Sequence, residues 1–417
     1  MTAAERAPVQ IPVLSLDAKG LLFAAFLSAG QFKGDPRLSW MPVDLTMLLA
    51  LAVAAVTGYT LVRDRFTFPA PIGWIGLLFS LFAIPLLWTD MHPYAAEKVT
   101  YLYTLTLFAA VASLVLFKTT DDLHRLFNAL TLIGLVAAFD AARLLLQGAS
   151  GDRLSAFGAN PIAFGRSIGL IFVWAAILGM EGRLPALPAM GLVGLSGVLL
   201  IASGSRGPLL ASAGGLAVAG FAFYRRRLKL MLRFAAAALV LMLAVQFGLS
   251  QAPGESANRI ARLAGGELGS SELTRLDAYN QTLTFIATHP GGIGWGGFAS
   301  RINQSGSGGD DRQYPHNLFL EVLLEGGWVG GFALLLLLAL AFARLVRQPP
   351  SPPLRALLLL FCFCVVNAQV SGDLNDNRLL FALTALGLRM GWDDPLGDRQ
   401  GGSTDVGARV PGHAHLP

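Results

Sequence analysis

The residues best suited to chemistry gather in one polar, glycine-rich stretch, residues 251–316, set between two long apolar runs. It holds several arginines, His289, His316 and the run Gly291-Gly292-Ile293-Gly294-Trp295-Gly296-Gly297, and it leads into Arg312-Gln313-Tyr314-Pro315-His316-Asn317. The guanidinium fork matches phosphate oxygens two at a time. Glycine-rich backbone either cradles an anion or lets chains pack closely, and both readings stay open for residues 291–297. No P-loop is present, because no Lys-Ser/Thr follows the glycines. Long loops without obvious secondary structure are usually functional or disordered, so this segment reads as the working part.

The elements that must position it are membrane helices. Hydrophobic residues make up 54% of the 417 and charged residues 14%, against about 25% charged in soluble domains. A net charge of +5 does not point to nucleic acid, because the basic residues are spread among connecting segments. Cys362 and Cys364 share one apolar run and point to different sides of a helix, so neither a disulfide framework nor a metal site is expected. Met1–Leu16 lacks the basic start and apolar stretch of a cleavable signal. A crossing needs about 20 apolar residues. That length predicts twelve spans, near residues 13–31, 43–62, 70–88, 99–117, 126–147, 160–180, 186–204, 207–224, 229–250, 317–343, 354–371 and 376–391. The expected organisation is an all-α membrane domain over residues 1–392, including the large loop 251–316. Residues 393–417, rich in glycine, proline and charge, read as a disordered cytoplasmic tail.

Charge sets the orientation. Arg63, Arg65, Lys118, Arg125, Arg183, Arg225-Arg226-Arg227, Lys229, Arg344, Arg347, Arg355 and Arg389 all fall between spans on one side. The positive-inside rule makes that side cytoplasmic. Both termini then lie inside and the loop faces outward, which in a two-membrane bacterium is the periplasm. Arg153, Arg206, Arg275, Arg301, Arg312 and Arg378 fall on or near the outer face against this trend, and Arg166 lies two turns into the sixth span. Arginine in or beside hydrocarbon marks a functional site by default, and several on one face suggest an anionic ligand such as diphosphate. Snorkelling, or pairing with acids such as Asp152 and Asp277, is the competing explanation. Arg206 has the most specific surroundings: it follows Ile201-Ala202-Ser203-Gly204-Ser205 and precedes Gly207-Pro208. Small residues permit a tight turn, proline suits a first helical turn, and the helix starting there would aim its N-terminal dipole outward. Asn160-Pro161 opens the sixth span similarly.

Four features together resemble the O-antigen ligase/polymerase superfamily of bacterial membrane glycosyltransferases. They are Ser205-Arg206-Gly207 at a helix junction; Arg275 followed by His289-Pro290-Gly291-Gly292-Ile293-Gly294; His316-Asn317 with Leu320, Glu321, Glu325 and Gly326; and Arg153 and Gly158 with Asn160-Pro161. The resemblance implies a many-span helical glycosyltransferase fold of the GT-C type in the inner membrane. It implies transfer of a glycan from undecaprenyl diphosphate to an acceptor hydroxyl on the periplasmic face, with inversion and with no nucleotide sugar, cofactor or metal. The acceptor is lipid A–core for a ligase or a second carrier-linked glycan for a polymerase; the ligase is preferred. A twelve-span transporter or flippase is disfavoured because the two halves show no matching interrupted helices.

On that resemblance Arg206 and Arg275, with Arg153 nearby, neutralise the diphosphate. His316 is the candidate base, since imidazole titrates near neutrality; a helix-entry residue is its plainer reading. His289 ranks second, as His-Pro before glycines looks like a turn. Asn317 is expected to orient the loop or the histidine, and Glu321 to hold a ring nitrogen or pair with an arginine. Gly326-Gly327 and Gly330-Gly331 have a small-residue helix-packing spacing.

Overall fold

The computed structural model describes residues 15–147, 154–223, 232, 270–302, 313–348 and 351–390. All regular structure among these residues is helical. The helices are α1 (Ala18–Ser28), α2 (Leu45–Arg63), α3 (Ile72–Ala83), α4 (Pro93–Tyr101), α5 (Leu107–Leu116), α6 (Thr120–Leu146), α7 (Pro161–Met180), α8 (Ala186–Ala202) and α9 (Arg206–Phe223). They continue with α10 (Ser270–Thr288), α11 (Gly297–Arg301), α12 (Leu318–Glu325), α13 (Gly327–Arg347), α14 (Pro352–Ala368) and α15 (Arg378–Met390). A π-turn joins α4 to α5, making one continuous segment Pro93–Leu116.

Among the described residues, five segments are long and apolar enough to cross a membrane: Leu45–Arg63, Pro93–Leu116, Thr120–Leu144, Pro161–Met180 and Gly327–Arg347. Ile72–Trp88, Ala186–Ala202 and Pro352–Ala368 are apolar but shorter. In α13, Val329, Phe332 and Leu336 form an exposed stripe at helical spacing while Gly330, Leu334, Leu337 and Leu338 are buried. Exposed apolar side chains on a helix that satisfies its own backbone suit a lipid surround. The centre is α7, buried continuously over residues 168–180 and packed against α6, α8, α9 and α14.

Contacts define two ends of the bundle. At one, Lys118 pairs with Asp64, Arg355 with Glu181, and Arg344 donates to the Leu388 carbonyl at 3.0 Å. At the other, the start of α7, the α8–α9 turn, α10, the start of α12 and the α14–α15 loop meet. Linking bonds there include Leu154 N–H to Ala202 O at 3.0 Å and Asn317 Nδ2 to Gln369 O at 3.0 Å.

Three expectations change. The expected span 317–343 is broken, because Gly327 adopts φ 73° and a Cβ there would sit 2.6 Å from Gly291 backbone. The stretch 251–316, read as lacking obvious secondary structure, contains the 19-residue helix α10. The first expected span, 13–31, shortens to α1 because Asp17 caps it, accepting from Gly20 N–H at 2.7 Å. The expected span at 229–250 lies outside the described residues but for Leu232, and the tail 393–417 lies wholly outside them.

Candidate active site

The glycine run is built for close packing. Gly292, Gly294 and Gly296 have φ of 82°, 86° and 76°, a region L-residues rarely occupy. A Cβ on them would lie 2.5 Å from Gly327 N, 2.8 Å from Thr89 Cα and 2.8 Å from Ala95 Cβ. The N–H groups are already used. Ile293 donates to Leu324 O at 2.8 Å, Gly294 to Glu325 O at 3.1 Å, Trp295 to Thr89 Oγ1 at 3.0 Å and Gly296 to Glu325 Oε2 at 2.9 Å. Of the two readings, packing is the one the structure shows, since those donors are not open to an anion. The turn also satisfies carbonyls at the end of α12, which helices otherwise leave unpaired.

Beneath the turn lies a charged cluster that the sequence reading missed. Lys98 Nζ sits 2.6 Å from Glu321 Oε1 and 2.5 Å from Glu325 Oε2, and all three side chains are wholly buried. Glu325 also accepts from Phe298 N–H at 3.3 Å, and Glu321 Oε1 from Leu374 N–H at 3.2 Å. Asn375 Nδ2 donates to the Lys98 carbonyl at 3.0 Å. Glu321 therefore meets a lysine, not the ring nitrogen or arginine expected for it. The available signal was the lysine itself, adjoining an apolar span, with two glutamates four residues apart on one face of a later helix.

Above the cluster, three elements converge on the α14–α15 loop. Asn317 caps α12, its Oδ1 accepting from Leu320 N–H at 3.0 Å, while its Nδ2 holds Gln369 O. Arg275 of α10 donates to Val370 O at 3.1 Å. Arg166 of α7 donates to Ser371 O at 2.8 Å and Asp376 O at 3.0 Å. His316, immediately before the cap, has φ 55°, a conformation that non-glycine residues hold only when their surroundings impose it. Its ring centroid is 4.5 Å from that of Tyr314, and its Nδ1 is buried with no hydrogen-bond partner among the described residues.

The charges of this end are arranged asymmetrically. Burial, then the nearby Arg275, lowers the His316 pKa to about 4, opposed by Asp376. The near-neutral titration expected of this imidazole is thus displaced, because burial disfavours the cation. Burial raises the Tyr314 phenol, reinforced by Asp376 and Asp373. Burial and then Asp376 raise the Asp373 carboxyl to about 6.

The α8–α9 turn joins the same end. Ser203 Oγ accepts from Ser205 N–H at 3.2 Å, Gly204 takes φ 63°, and α9 starts at Arg206. A Cβ at Gly207 would lie 2.6 Å from Val370 Cγ2, so the N-terminus of α9 abuts the loop that Arg275 grips. The side chain of Arg206 lies outside what is described, as do Arg153 and Arg312. Arg301 is exposed. Arg378 lies over the Phe26 ring at 5.7 Å. His289 is exposed at the end of α10, stacked on Phe285 at 5.5 Å, with Nδ1 2.9 Å from Thr288 Oγ1. Asn160 caps α7, accepting from Ile162 N–H at 2.9 Å.

A helical bundle with several membrane-crossing segments and its polar machinery at one end defines a multi-pass membrane protein. Within it, residues 191–336 match the family model described as O-antigen ligase, which supports membership of the O-antigen ligase superfamily. The matched stretch includes Arg206, Arg275, His316, Asn317, Glu321 and Glu325, whereas Lys98, Arg166 and the α14–α15 loop lie outside it. A comparison with curated proteins finds no match.

Proposed function

We propose that the chain moves a glycan from undecaprenyl diphosphate to an acceptor hydroxyl, as an O-antigen ligase acting on lipid A–core. In this reading it crosses the inner membrane twelve times, with the site end facing the periplasm. The gathering of Arg63, Lys118, Arg344 and Arg355 at the opposite end supports that orientation. One observation carries the reading: within the family-matched stretch, Arg275, Asn317 and the N-terminus of α9 meet at one loop, with His316 next to Asn317.

The donor bond is already activated, because diphosphate leaves readily once its charge is stabilised. Arg206 and Arg275 are assigned that charge. Each charge-assisted hydrogen bond is worth about 1.5–3 kcal/mol, more where it strengthens in the transition state. His316 is assigned the acceptor proton. With its pKa lowered to about 4, the ring is neutral throughout the physiological range. It is always ready to accept a proton but is a weaker base than an ordinary histidine. A positioned base still contributes about 10²–10⁴-fold. Direct displacement inverts the anomeric carbon. Asn317 holds the histidine's backbone to the α14–α15 loop, and the Lys98 cluster fixes α12 beneath it.

Purified protein offered a carrier-linked glycan with either lipid A–core or a second carrier-linked glycan tests the acceptor. Product on lipid A–core is expected. A ladder of carrier-linked oligomers would instead make the chain a polymerase.

A further inference from the structure

Asn367, one residue before the end of α14, is an unexplained group beside this site. It is 2% exposed, and among the described residues neither its Nδ2 nor its Oδ1 has a hydrogen-bond partner. An unpaired buried polar group is costly and calls for a reason. This amide abuts the start of α9: a Cβ at Gly207 would lie 3.4 Å from Asn367 Oδ1. The first N–H groups of a helix lack intrahelical acceptors and favour anions; α9 is 18 residues long. A second unsatisfied donor lies close by. Arg166 Nε is buried without a partner among the described residues, although its two terminal nitrogens grip the loop beside Asn367. Ser371, which Arg166 holds, donates its own hydroxyl to the Asn367 carbonyl at 3.3 Å.

We propose that Asn367 and Arg166 complete, with the N-terminus of α9, a phosphate subsite for the donor. The inference rests on the donor reading above and extends the site beyond the family-matched residues. Asn367 supplies a neutral donor where a further arginine would have to be buried as a charge. Val370 closes the approach, its Cγ2 lying against Gly207 and its carbonyl held by Arg275. An incoming phosphate that draws Arg275 to itself releases Val370 and opens Asn367 to the ligand. Binding then gives Asn367 Nδ2 the acceptor it lacks in the empty protein.

The test is binding of glycan-free undecaprenyl diphosphate to purified full-length protein in lipid nanodiscs. Undecaprenol and inorganic pyrophosphate serve as separate arms, the first lacking the anion and the second the lipid. Asn367→Leu is expected to raise the melting temperature of the empty protein, because an unsatisfied amide is removed. It should also weaken binding about tenfold or more. A merely structural asparagine would not give that opposed pair. Asn367→Asp, unchanged in size, reads the same contact should leucine fail to pack, and should weaken binding further by repelling the anion. The pyrophosphate arm should show the same order of variants, and undecaprenol should not distinguish them. Aspartate binding within about twofold of wild type, while Arg206→Ala loses binding, overturns this inference and leaves the donor reading standing. A wild type that does not bind undecaprenyl diphosphate overturns both.

Discussion

Lys98→Met removes the one ammonium that answers two buried carboxylates. Methionine keeps the length and apolar stem of lysine, so the change is chiefly electrostatic. Breaking a buried ion pair by deleting one partner costs about 3–5 kcal/mol. Here the lysine meets Glu321 at 2.6 Å and Glu325 at 2.5 Å, with no part of any side chain exposed. Among the described residues, Glu325 retains the N–H groups of Gly296 and Phe298, while Glu321 retains that of Leu374 alone, so Glu321 suffers more. An unfolding entropy of about 2.1 cal/mol/K per residue converts that cost to a fall of about 3–6 °C for a chain of this length. Thermal unfolding in detergent reads it directly. The triple variant Lys98→Met/Glu321→Gln/Glu325→Gln, which has no charge left to strand, should recover at least half of the loss. A Lys98→Met protein that melts within about 1 °C of wild type would refute the reasoning.

Transfer activity should stay level from about pH 8 down to about pH 5 and fall only toward pH 4, where His316 takes up a proton; an inflection near its ordinary 6.5 would contradict the burial argument. Because the folded-state pKa is depressed, the stability linked to His316 is full above about pH 6.5 and is lost as pH drops toward 4. His316→Gln should flatten that part of the acid dependence in a denaturation series. Gly292→Ala should destabilise by more than about 1 kcal/mol, since the residue sits at φ 82° with Gly327 N in the way; an unchanged melting temperature would show that the turn yields. A single cysteine at exposed Asn280, with Cys362 and Cys364 replaced, should react with an impermeant maleimide from the periplasmic side; labelling only after lysis would reverse the orientation.

Much of the helical layout was legible because apolar length is a direct demand of the bilayer. The helices at Leu45–Arg63, Pro161–Met180 and Ala186–Ala202 fall where runs of about 20 apolar residues place them. Short-range signals also read well: Asn160 and Asn317 both cap the helices that follow them. Long-range compensation did not. The span drawn from residue 99 stopped just short of Lys98, because a lone lysine is costly in hydrocarbon. The protein starts that helix at Pro93 and answers the lysine with glutamates more than 220 positions away. The Gly326-Gly327 pair looked like ordinary helix packing, and its break appears only once the backbone of Gly291 is placed against it. Helix α10 escaped notice because it is polar enough to resemble loop. The α14–α15 loop carries no motif; its importance lies in what Arg166, Arg275, Asn317 and Glu321 do to it.

The central claim is that this end of the bundle breaks the glycan–diphosphate bond with His316 as base and Arg275 on the leaving group. Single-turnover release of undecaprenyl diphosphate from a carrier-linked glycan, in the presence of lipid A–core, measures that step directly. The wild type should release it stoichiometrically with product. His316→Ala should slow release about 10²-fold or more with donor binding retained, and Arg275→Ala should impair both binding and release. Near-normal release in His316→Ala would contradict the account.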